Sequence, residues 1–358
     1  MRDAAPTAQG GDIVQGRAIG RFLVARGANV VFVGGHRFSP RHWDAAILFN
    51  LSVMPSTALA ADTCKRHRVP YVVFPVFWDL ASVIPKEHLR ALSWTLPAGS
   101  VRRDGLRRIN SALAEIRSGT LDRSRACLLV ALGRGLMRQV VENAMVVCPN
   151  SVAEMGHLAS YLGVAADKRW LVVRNGIWPS EIPDALPWER RRREILCVGG
   201  LSPRKNSLTL VRAAAESGLP LRIVGVNMAQ PDAYGRKVAR IATSTTRFEP
   251  PRAYSEVLGL LATTRAHAQV GFVETPGLAT LEALAAGASA VVASTPVVLE
   301  YLPKGVCTVD PSSVRSVALG LRTALDEPPA GGMAEHVKAT YDWDIVLRPL
   351  AHALGLAS

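Results

Sequence analysis

Short apolar runs rich in β-branched residues alternate with helical segments along nearly the whole sequence. AAILFN (45–50) and PYVVFPVFW (70–78) have the length of strands, and residues 55–67 between them have helical periodicity. AMVVCPN (144–150) precedes a helical segment at about 151–162 in the same way. This alternation predicts an α/β protein with doubly wound parallel sheets covered by helices on both faces. The other strands predicted in the first half are ANVVFVG (28–34) and LVVRNGI (171–177).

A proline-rich stretch divides this series in two. WPSEIPDALPWERRRR (178–193) contains three prolines and ends in a charge run, and a fresh β-α-β series follows it. At about 100–200 residues per domain, a chain of 358 residues also favours two domains. We predict an N-terminal domain over 1–178, a linker over 179–193, a C-terminal domain over 194–335 and a last helical segment over 336–358.

Composition narrows the classes of protein and of site. Hydrophobic residues make up 49% of the chain and charged residues 20%, which argues against disorder. The five cysteines form no CxxC pair, so we expect a reducing cytosol, no disulfide framework and no zinc site. No apolar run reaches the about 18 residues of a transmembrane helix, and the first eleven residues do not resemble a signal peptide.

Charge points to polyanionic partners. The net charge is +13, and residues 101–140 carry nine arginines against three acidic residues. Such a field favours nucleic acid, an anionic membrane surface or phosphorylated ligands. A solvated face in an arginine-rich protein explains the segment equally well. Nucleic acid is not expected as the partner, because the sequence has no RNP-like aromatic residues, no zinc spacing and no separate helix-turn-helix pattern.

The first candidate site lies in VGFVETPGLATLEALAAGASAVVAS (270–294). A strand precedes Glu274, Thr275 is a plausible N-cap with Pro276 at the first helical position, and Glu282 lies just over two turns into the helix. Loops at the carboxyl ends of parallel strands bind ligands, and a helix N-terminus favours phosphate. Carboxylates there can accept hydrogen bonds from sugar hydroxyls. The simpler interpretation is a capping acid and a solvated helix residue.

The second candidate site is ILCVGGLSPRKNS (195–207). A strand runs into Gly199 and Gly200, and the following loop presents Arg204 and Lys205 just before a helix. Glycines let a bulky anion approach the backbone, and the two cations can neutralise it. The spacing is not that of the G-x-x-x-x-G-K-[ST] phosphate loop, and a basic loop without a ligand is the alternative.

Taken together, these blocks resemble the donor-binding half of retaining GT-B glycosyltransferases of family 4. The matching blocks are ILCVGGLSPRKNSLTLVRAAAESGLPLRIVG, ETPGLATLEALAAGASAVVAS and LEYLPKGVCTVDP. The first half, from GGDIVQGRAIG to VVRNGI, is similar to the acceptor domain of bacterial members that build surface polysaccharides. The resemblance covers roughly residues 10–350. It implies two Rossmann-like domains that face a cleft, with the C-terminal helix crossing back to the first domain.

The resemblance also implies roles for the two glutamates and the loop between them. In this family a glutamate pair at this spacing binds the donor, so Glu274 would contact hydroxyls of the transferred sugar and Glu282 would contact the ribose. Thr275, Gly277 and Leu278 lie in the loop that would offer amides to the sugar and the diphosphate.

The basic loop and the N-terminal glycines receive roles in the same way. Lys205, with Arg204, matches the site that binds the diphosphate and stabilises the leaving nucleoside diphosphate without a metal. Gly10 and Gly11 match the glycine loop of the acceptor domain, which approaches the donor phosphates and the acceptor.

Three features depart from the family pattern. Gly200 stands where many relatives have an arginine, and we expect Arg204 to take over the role of that arginine. The loop at Trp78 and Asp79 lacks the histidine that many relatives place near the reacting sugar. MRDAAPTAQ (1–9) has no strand character where the family has a core strand. We expect either a start codon that was assigned too late or a first domain that is poorly stable.

The sequence therefore predicts a retaining, metal-independent hexosyltransferase without a cofactor. Its partners would be a nucleotide-diphosphate sugar and a saccharide or lipid-linked acceptor. Localisation would be cytoplasmic, with peripheral attachment to the inner face of an anionic membrane through residues 101–140. The alternative is a catalytically inactive relative that binds a nucleotide sugar or acts as an assembly partner.

Overall fold

The computed structural model describes residues 11–34, 38–40, 42–51, 54–78, 123–274 and 277–356. The chain forms two compact units. The first contains the described residues up to 174 together with residues 346–356, and the second contains residues 175–345. Each unit has its own parallel sheet with helices packed on it, so the predicted α/β class is confirmed.

The sheet of the first unit has three parallel strands, and strand order follows chain order. The first two strands pair along their full length, whereas only two residues pair with the third. The elements are α1 (Gly11–Val24), β1 (Ala46–Phe49), α2 (Met54–Arg66), β2 (Tyr71–Phe74), α3 (Arg123–Glu142), β3 (Val146–Val147) and α4 (Val152–Leu162).

Two strands predicted in the first half are wrong. Residues 28–34 follow α1 as irregular chain, and the side chains of Val31 and Phe32 are more than half exposed. None of the three described strands of this sheet pairs with residues 28–34, and an extended segment becomes a strand only by pairing. Residues 1–9, on which the prediction of a missing first strand rests, lie outside the described ranges.

Residues 171–177 also do not form a regular strand. The amide of Leu171 donates to the carbonyl of Val147 at 2.8 Å, and the amide of Val173 donates to the carbonyl of Pro149 at 2.9 Å. Pro149 has no N–H group to continue the ladder, so regular pairing stops there.

The sheet of the second unit has six parallel strands. Adjacent residues of its first strand belong to different cores, because Ile195 and Leu196 point to opposite faces of the sheet. Its elements are two short 3-10 helices (Pro179–Glu181 and Trp188–Arg190), β4 (Arg192–Val198), α5 (Ser207–Glu216), β5 (Leu221–Val224), α6 (Ala233–Ile241), β6 (Thr246–Glu249), α7 (Tyr254–Thr263), β7 (Thr264–Gln269), α8 (Leu278–Ala285), β8 (Ser289–Ala293), α9 (Pro296–Tyr301), β9 (Cys307–Val309), α10 (Val314–Asp326) and α11 (Met333–Thr340).

The strand order of this sheet is β6-β5-β4-β7-β8-β9. From β4 the chain first builds outward on one side through β5 and β6, and it then returns to place β7 on the other side of β4. The order therefore reverses between β4 and β7. A crevice opens at such a switch point, outside the carboxyl ends of the two strands, and α/β proteins bind ligands there.

The segment predicted as a linker, residues 179–193, is grouped with the second unit. The side chain of Arg191 fixes it, because this guanidinium is buried and donates to three backbone carbonyls: Leu186 at 2.9 Å, Thr264 at 3.1 Å and Ala286 at 2.7 Å. The proline-rich stretch is thus attached to the edge of the sheet at which β4 begins.

Replacing Arg191 by methionine is expected to destabilise the second unit by about 3 kcal/mol, because two buried carbonyl groups and one partly buried carbonyl group lose their donor. Urea unfolding followed by tryptophan fluorescence measures the change. The control is Arg190→Met, because Arg190 is an exposed neighbour, and its substitution should change stability by less than about 0.5 kcal/mol. Equal effects of the two substitutions would contradict this account of the segment.

The end of the chain, predicted as one helix, is divided into three. α11 is followed by α12 (Trp343–Val346) and α13 (Arg348–Ala353). The break after α11 has a local cause, since the amide of Trp343 donates to the carbonyl of Ile177 at 3.0 Å and its side chain is fully buried. Pro349 occupies the first turn of α13, where its missing N–H group costs nothing.

Candidate functional site

Two loops of the second unit meet at the switch point. One follows β4 and contains residues 199–206; the other follows β7 and contains the described residues 270–274 and 277. The amide of Phe272 donates to the carbonyl of Arg204 at 3.0 Å, and the side chain of Asn206 donates to the carbonyl of Val270 at 3.1 Å. The two candidate sites predicted from sequence are therefore parts of one site, the switch-point site.

Two glycines of this site lie where an added Cβ atom would be too close to a neighbouring group. Gly199 has a φ of +126°, and a Cβ added to it would lie 2.6 Å from the Nζ of Lys205. A Cβ added to Gly271 would lie 3.0 Å from the carbonyl oxygen of Arg204. By contrast, a Cβ on Gly200 would meet only the carbonyl oxygen of Gly225, at 3.7 Å. Gly271 lets the two loops touch, Gly199 leaves room for the side chain of Lys205 within its own loop, and Gly200 has ordinary space around it.

Replacing Gly271 by alanine is expected to push the two loops apart and to cost about 1–3 kcal/mol of stability, as overpacking does. The control is Gly259→Ala within α7, where an added Cβ meets nothing within 4 Å. That substitution should be neutral or stabilising by up to about 1 kcal/mol, since alanine favours a helix. Differential scanning calorimetry compares the two, and a stable Gly271→Ala protein would contradict the close contact.

The two cations of the site contact backbone carbonyls. The Nζ of Lys205 lies 3.4 Å from the carbonyl oxygen of Val198, and Arg204 donates from Nη1 to the carbonyl of Val273 at 3.2 Å. Neither forms an ion pair with a carboxylate of the described ranges. Their charge is thus available to an anion at the carboxyl ends of β4 and β7.

Glu274 is buried beside the loop that carries Arg204 and Lys205. Its Oε2 accepts a hydrogen bond from the Nε2 of Gln269 at 2.5 Å, and its Oε1 lies 3.3 Å from where a Cβ on Gly277 would be. One carboxylate oxygen is therefore held by the end of β7, and the other faces the loop that leads into α8.

The start of α8 differs from the prediction. Gly277 is the N-cap, with φ −63° and ψ 114°, and Leu278 is the first helical residue. The predicted cap, Thr275, and Pro276 lie outside the described residues. The N-terminal turn is closed by the amide of Thr280, which donates to the carbonyl of Gly277 at 2.8 Å. Gly277 and Leu278 are thus at the helix N-terminus, as the predicted phosphate contact requires.

Glu282 is buried, so the alternative of a solvated helix residue is wrong. Its Oε1 accepts a hydrogen bond from the hydroxyl of Tyr254 at 2.9 Å. Burial raises the pKa of Glu282 to about 7; the Tyr254 hydrogen bond opposes this shift and the charge of Glu181 adds to it. A buried glutamate with a perturbed pKa is a candidate for a functional role. In the described ranges one oxygen of Glu282 has no protein hydrogen bond, and in the ionised form this oxygen can accept a ligand hydroxyl.

A buried histidine lies beneath the site. His267, on β7, approaches the Oγ1 of Thr280 with its Nε2 at 3.3 Å. Burial, with the nearby charge of Lys205, lowers the pKa of His267 to about 3, so the imidazole is neutral at physiological pH. The positive charge at the carboxyl end of β7 thus comes from Lys205 and Arg204, and the neutral ring supports the first turn of α8.

Two findings bear on metals and membranes. The described ranges contain no group of three or more histidine, cysteine, aspartate or glutamate side chains placed to hold a metal ion. No helix within those same ranges combines the length and the hydropathy that crossing a bilayer requires.

The residues predicted in the first unit are only partly described. Gly11 is the exposed first residue of α1, while Gly10 and Asp79 lie outside the described residues. Trp78 stacks on the ring of His157, with centroids 4.8 Å apart. In the arginine-rich segment, residues 101–122 are outside the described ranges, so its predicted role in membrane attachment stays a prediction.

A second polar cluster, absent from the sequence predictions, lies at the carboxyl ends of the strands of the first unit. Asn50 follows β1 with a φ of +71° and donates to the carboxylate of Asp12 at 3.1 Å. Gln15 donates to the Oδ1 of Asn150 at 2.8 Å. Glu154 accepts hydrogen bonds from the amides of Asn150 and Phe77, at 2.7 and 2.8 Å. We call these side chains the first-unit polar cluster.

Backbone geometry marks the same edge of the sheet. Val76, just after β2, has a φ of +44°, which is rare for a β-branched residue. Glu154 holds this turn through the amide of Phe77, and burial raises the pKa of Glu154 to about 7. A strained turn fixed by a buried carboxylate is a feature that proteins keep at functional sites.

Sequence reasoning missed Tyr254 and Gln269 in the switch-point site. Tyr254 is 28 positions from Glu282, and no local pattern links the two. Gln269 carried no distinctive signal, because Thr264, Arg265 and His267 of the same strand are also polar.

No family model matches the sequence, and no curated protein matches it. Solved structures do match. A sucrose-phosphate synthase from Thermosynechococcus elongatus has 13% identity and a TM-score of 0.60, over 98% of this chain and 81% of that one. HepE from Anabaena, in complex with UDP-glucose, has 15% identity and a TM-score of 0.55, over 87% of this chain and 99% of that one.

A third match is a UDP-forming trehalose-phosphate synthase from Burkholderia xenovorans, in complex with glucose-6-phosphate. It has 12% identity and a TM-score of 0.53, over 87% of this chain and 100% of that one. At such identities the likeness concerns the fold. The two parallel α/β sheets described above match the GT-B fold of these structures.

Proposed function

We propose that this chain is a glycosyltransferase that moves a hexose from a nucleoside diphosphate sugar to a saccharide or lipid-linked acceptor. One observation carries the proposal: two cations without carboxylate partners in the described ranges share the switch-point site with two buried carboxylates. A nucleoside diphosphate sugar offers an anion for the cations and hydroxyl groups for the carboxylates.

Each residue would act on a separate part of the donor. Lys205 and Arg204 would contact the diphosphate, together with the amides at the start of α8. Glu274 would accept hydrogen bonds from hydroxyls of the transferred sugar, because Gln269 holds only one of its oxygens. Glu282 would accept them from the ribose.

Chemistry would centre on the bond between the anomeric carbon and the diphosphate oxygen. As this bond breaks, negative charge grows on the leaving diphosphate, and Lys205 stabilises it electrostatically. The acceptor hydroxyl would attack from the same face and pass its proton to the departing oxygen, which retains the anomeric configuration. This step needs no protein nucleophile, and the two cations take the place of a metal ion at the diphosphate.

Two further elements of the proposal concern the nucleotide and the acceptor. The UDP-glucose complex of HepE and the UDP-forming synthase support uracil as the base of the donor nucleotide. The first-unit polar cluster supports a polyol acceptor, because it concentrates amide and carboxylate groups at one sheet edge. Attachment to anionic membranes through residues 101–140 would appear as vesicle binding that is lost at high salt.

The test is titration of the full chain with UDP, GDP and ADP by calorimetry in the presence of EDTA, followed by detection of UDP release from UDP-sugars. We expect stoichiometric binding of UDP and slow release of UDP from one UDP-sugar. Binding without release in the presence of mixed saccharide acceptors would favour the inactive relative. Failure of the cooperatively folded chain to bind any nucleoside diphosphate would overturn the proposal.

A further inference from the structure

Tyr254 contacts Glu282 from a different helix, α7, which contains neither Glu274 nor Glu282. It is the first residue of α7, which packs against α8, and its hydroxyl donates to the Oε1 of Glu282 at 2.9 Å. The side chain of Tyr254 is only partly exposed. This bond is the only hydrogen bond to the carboxylate of Glu282 from the described part of the chain.

A single donor matters because of where the carboxylate lies. A buried carboxylate without a hydrogen-bond donor takes up a proton, and a protonated oxygen is a poor acceptor for a ligand hydroxyl. The hydroxyl of Tyr254 favours the ionised form, whereas the charge of Glu181 opposes it.

The other elements packed against α8 bring no competing charge to Glu282. α11 buries Met333 and Val337 and keeps Glu335 and His336 exposed. β7 contributes His267, which is neutral and adjoins Thr280, and β8 (Ser289–Ala293) contains no titratable residue. Tyr254 and Glu181 are therefore the groups that set the state of Glu282.

We infer that Tyr254 is a positioning residue for nucleotide recognition: its hydroxyl holds one oxygen of Glu282 so that the other oxygen accepts the ribose hydroxyls of the donor. This inference rests on the proposed function. It assigns a role to a residue outside the glutamate motif, and it makes recognition of the ribose depend on a tyrosine 28 positions away.

The experiment compares UDP with 2′,3′-dideoxy-UDP on the wild-type chain and on Tyr254→Phe, by calorimetry. Tyr254→Phe should weaken UDP binding roughly 10-fold, the range of a hydrogen bond to a charged group, and dideoxy-UDP binding less than about 2-fold. A matched control is Tyr71→Phe, because Tyr71 also buries its hydroxyl, bonded to the carbonyl of Val140 in the first unit. The control should bind both nucleotides as the wild type does.

A pH series provides a readout that a structural role would not move. Loss of the Tyr254 hydroxyl raises the pKa of Glu282, so the acidic limb at which UDP binding fails should move to higher pH in Tyr254→Phe. Titration of the UDP phosphate itself is common to both proteins and cancels in the comparison. In a Glu282→Gln background, Tyr254→Phe should not move the acidic limb, because glutamine does not ionise.

The outcomes separate two failures. If wild-type protein does not bind UDP, or binds dideoxy-UDP equally well, the proposed role of Glu282 fails and the inference fails with it. If wild type discriminates but Tyr254→Phe weakens both nucleotides equally and leaves the pH limb in place, only the inference is overturned. Should Tyr254→Phe fold poorly, 3-fluorotyrosine at 254 keeps the shape and strengthens the donor. Its acidic limb should move to lower pH, and an unmoved limb would overturn the inference.

Discussion

Replacing Glu282 by glutamine is expected to weaken UDP binding roughly 10- to 100-fold and, at the same time, to stabilise the free protein. The loss of affinity follows because the ribose hydroxyls exchange a charged acceptor for a neutral one, and hydrogen bonds to charged groups contribute about 1.5–3 kcal/mol. The gain in stability follows from burial, which raises the pKa of Glu282 to about 7.

The sign of the stability effect depends on pH. The folded state holds the proton of Glu282 more tightly than the unfolded chain does. This residue therefore lowers stability as pH rises from 4.5, the ordinary pKa of a glutamate, through about 7. Above that pH window the loss of folding stability caused by ionising the buried Glu282 is fully present, at roughly 2–3 kcal/mol. Below the window it disappears, because the carboxyl is protonated in both states. Glutamine cannot ionise and therefore escapes the cost, while its carbonyl still accepts from Tyr254.

Thermal unfolding of the two proteins from pH 5 to pH 8 measures this effect. The advantage of Glu282→Gln over wild type should grow across the range and reach several degrees at pH 8, about 2–4 °C per kcal/mol. The exposed Glu335 offers the control, since Glu335→Gln should leave both the melting curve and UDP affinity unchanged. A Glu282→Gln protein that is less stable at pH 8, or that binds UDP normally, would show that the carboxylate has a structural role.

Replacing Lys205 by methionine is expected to reduce turnover of the donor about 100- to 1000-fold, the effect of removing one preorganised group that stabilises transition-state charge. Methionine keeps most of the length of the side chain that lies over Gly199, so the change isolates the charge. The affinity for UDP should fall less than turnover does, because the charge on the diphosphate grows as the bond to the sugar breaks.

The natural control for Lys205 is another lysine of the same unit. Lys304 is exposed and precedes β9, so it lies at the amino edge of the sheet, opposite the carboxyl ends that form the site. Lys304→Met should retain full UDP release from the donor. If Lys205→Met also retained it, Lys205 would have no part in the chemistry, and Arg204 in the same loop would be the next residue to test.

Much of the second unit could be predicted from sequence because its strands are buried on both faces. The apolar run at 195–198 identified β4, and the strand predicted before Glu274 overlaps the end of β7. The glycine pair and Glu274, which follow these strands, identified the site loops. The burial of Glu282 could not be predicted, because it depends on α7 and on the segment at Glu181, which are distant in sequence. The start of α8 was misplaced because threonine and proline are favourable cap residues, whereas the structure caps the helix with Gly277.

The first unit was harder to predict for a different reason. Residues 28–34 have the composition of a strand, but composition cannot supply the neighbour that a strand needs. The first-unit polar cluster escaped prediction because its members come from four places in the sequence: two from α1, and one each from the end of β1, the end of β3 and α4. Only the parallel sheet brings them to one edge.

Hydrogen exchange of the full chain with and without saturating UDP, read by mass spectrometry, tests the central claim most directly. The account predicts slower exchange in the loop at 199–206 and in residues 270–282, where the diphosphate and the ribose would bind, and Lys205→Met should need more UDP for the same reduction. UDP binding that protects other segments and leaves both of these unchanged would contradict the switch-point site as the nucleotide site.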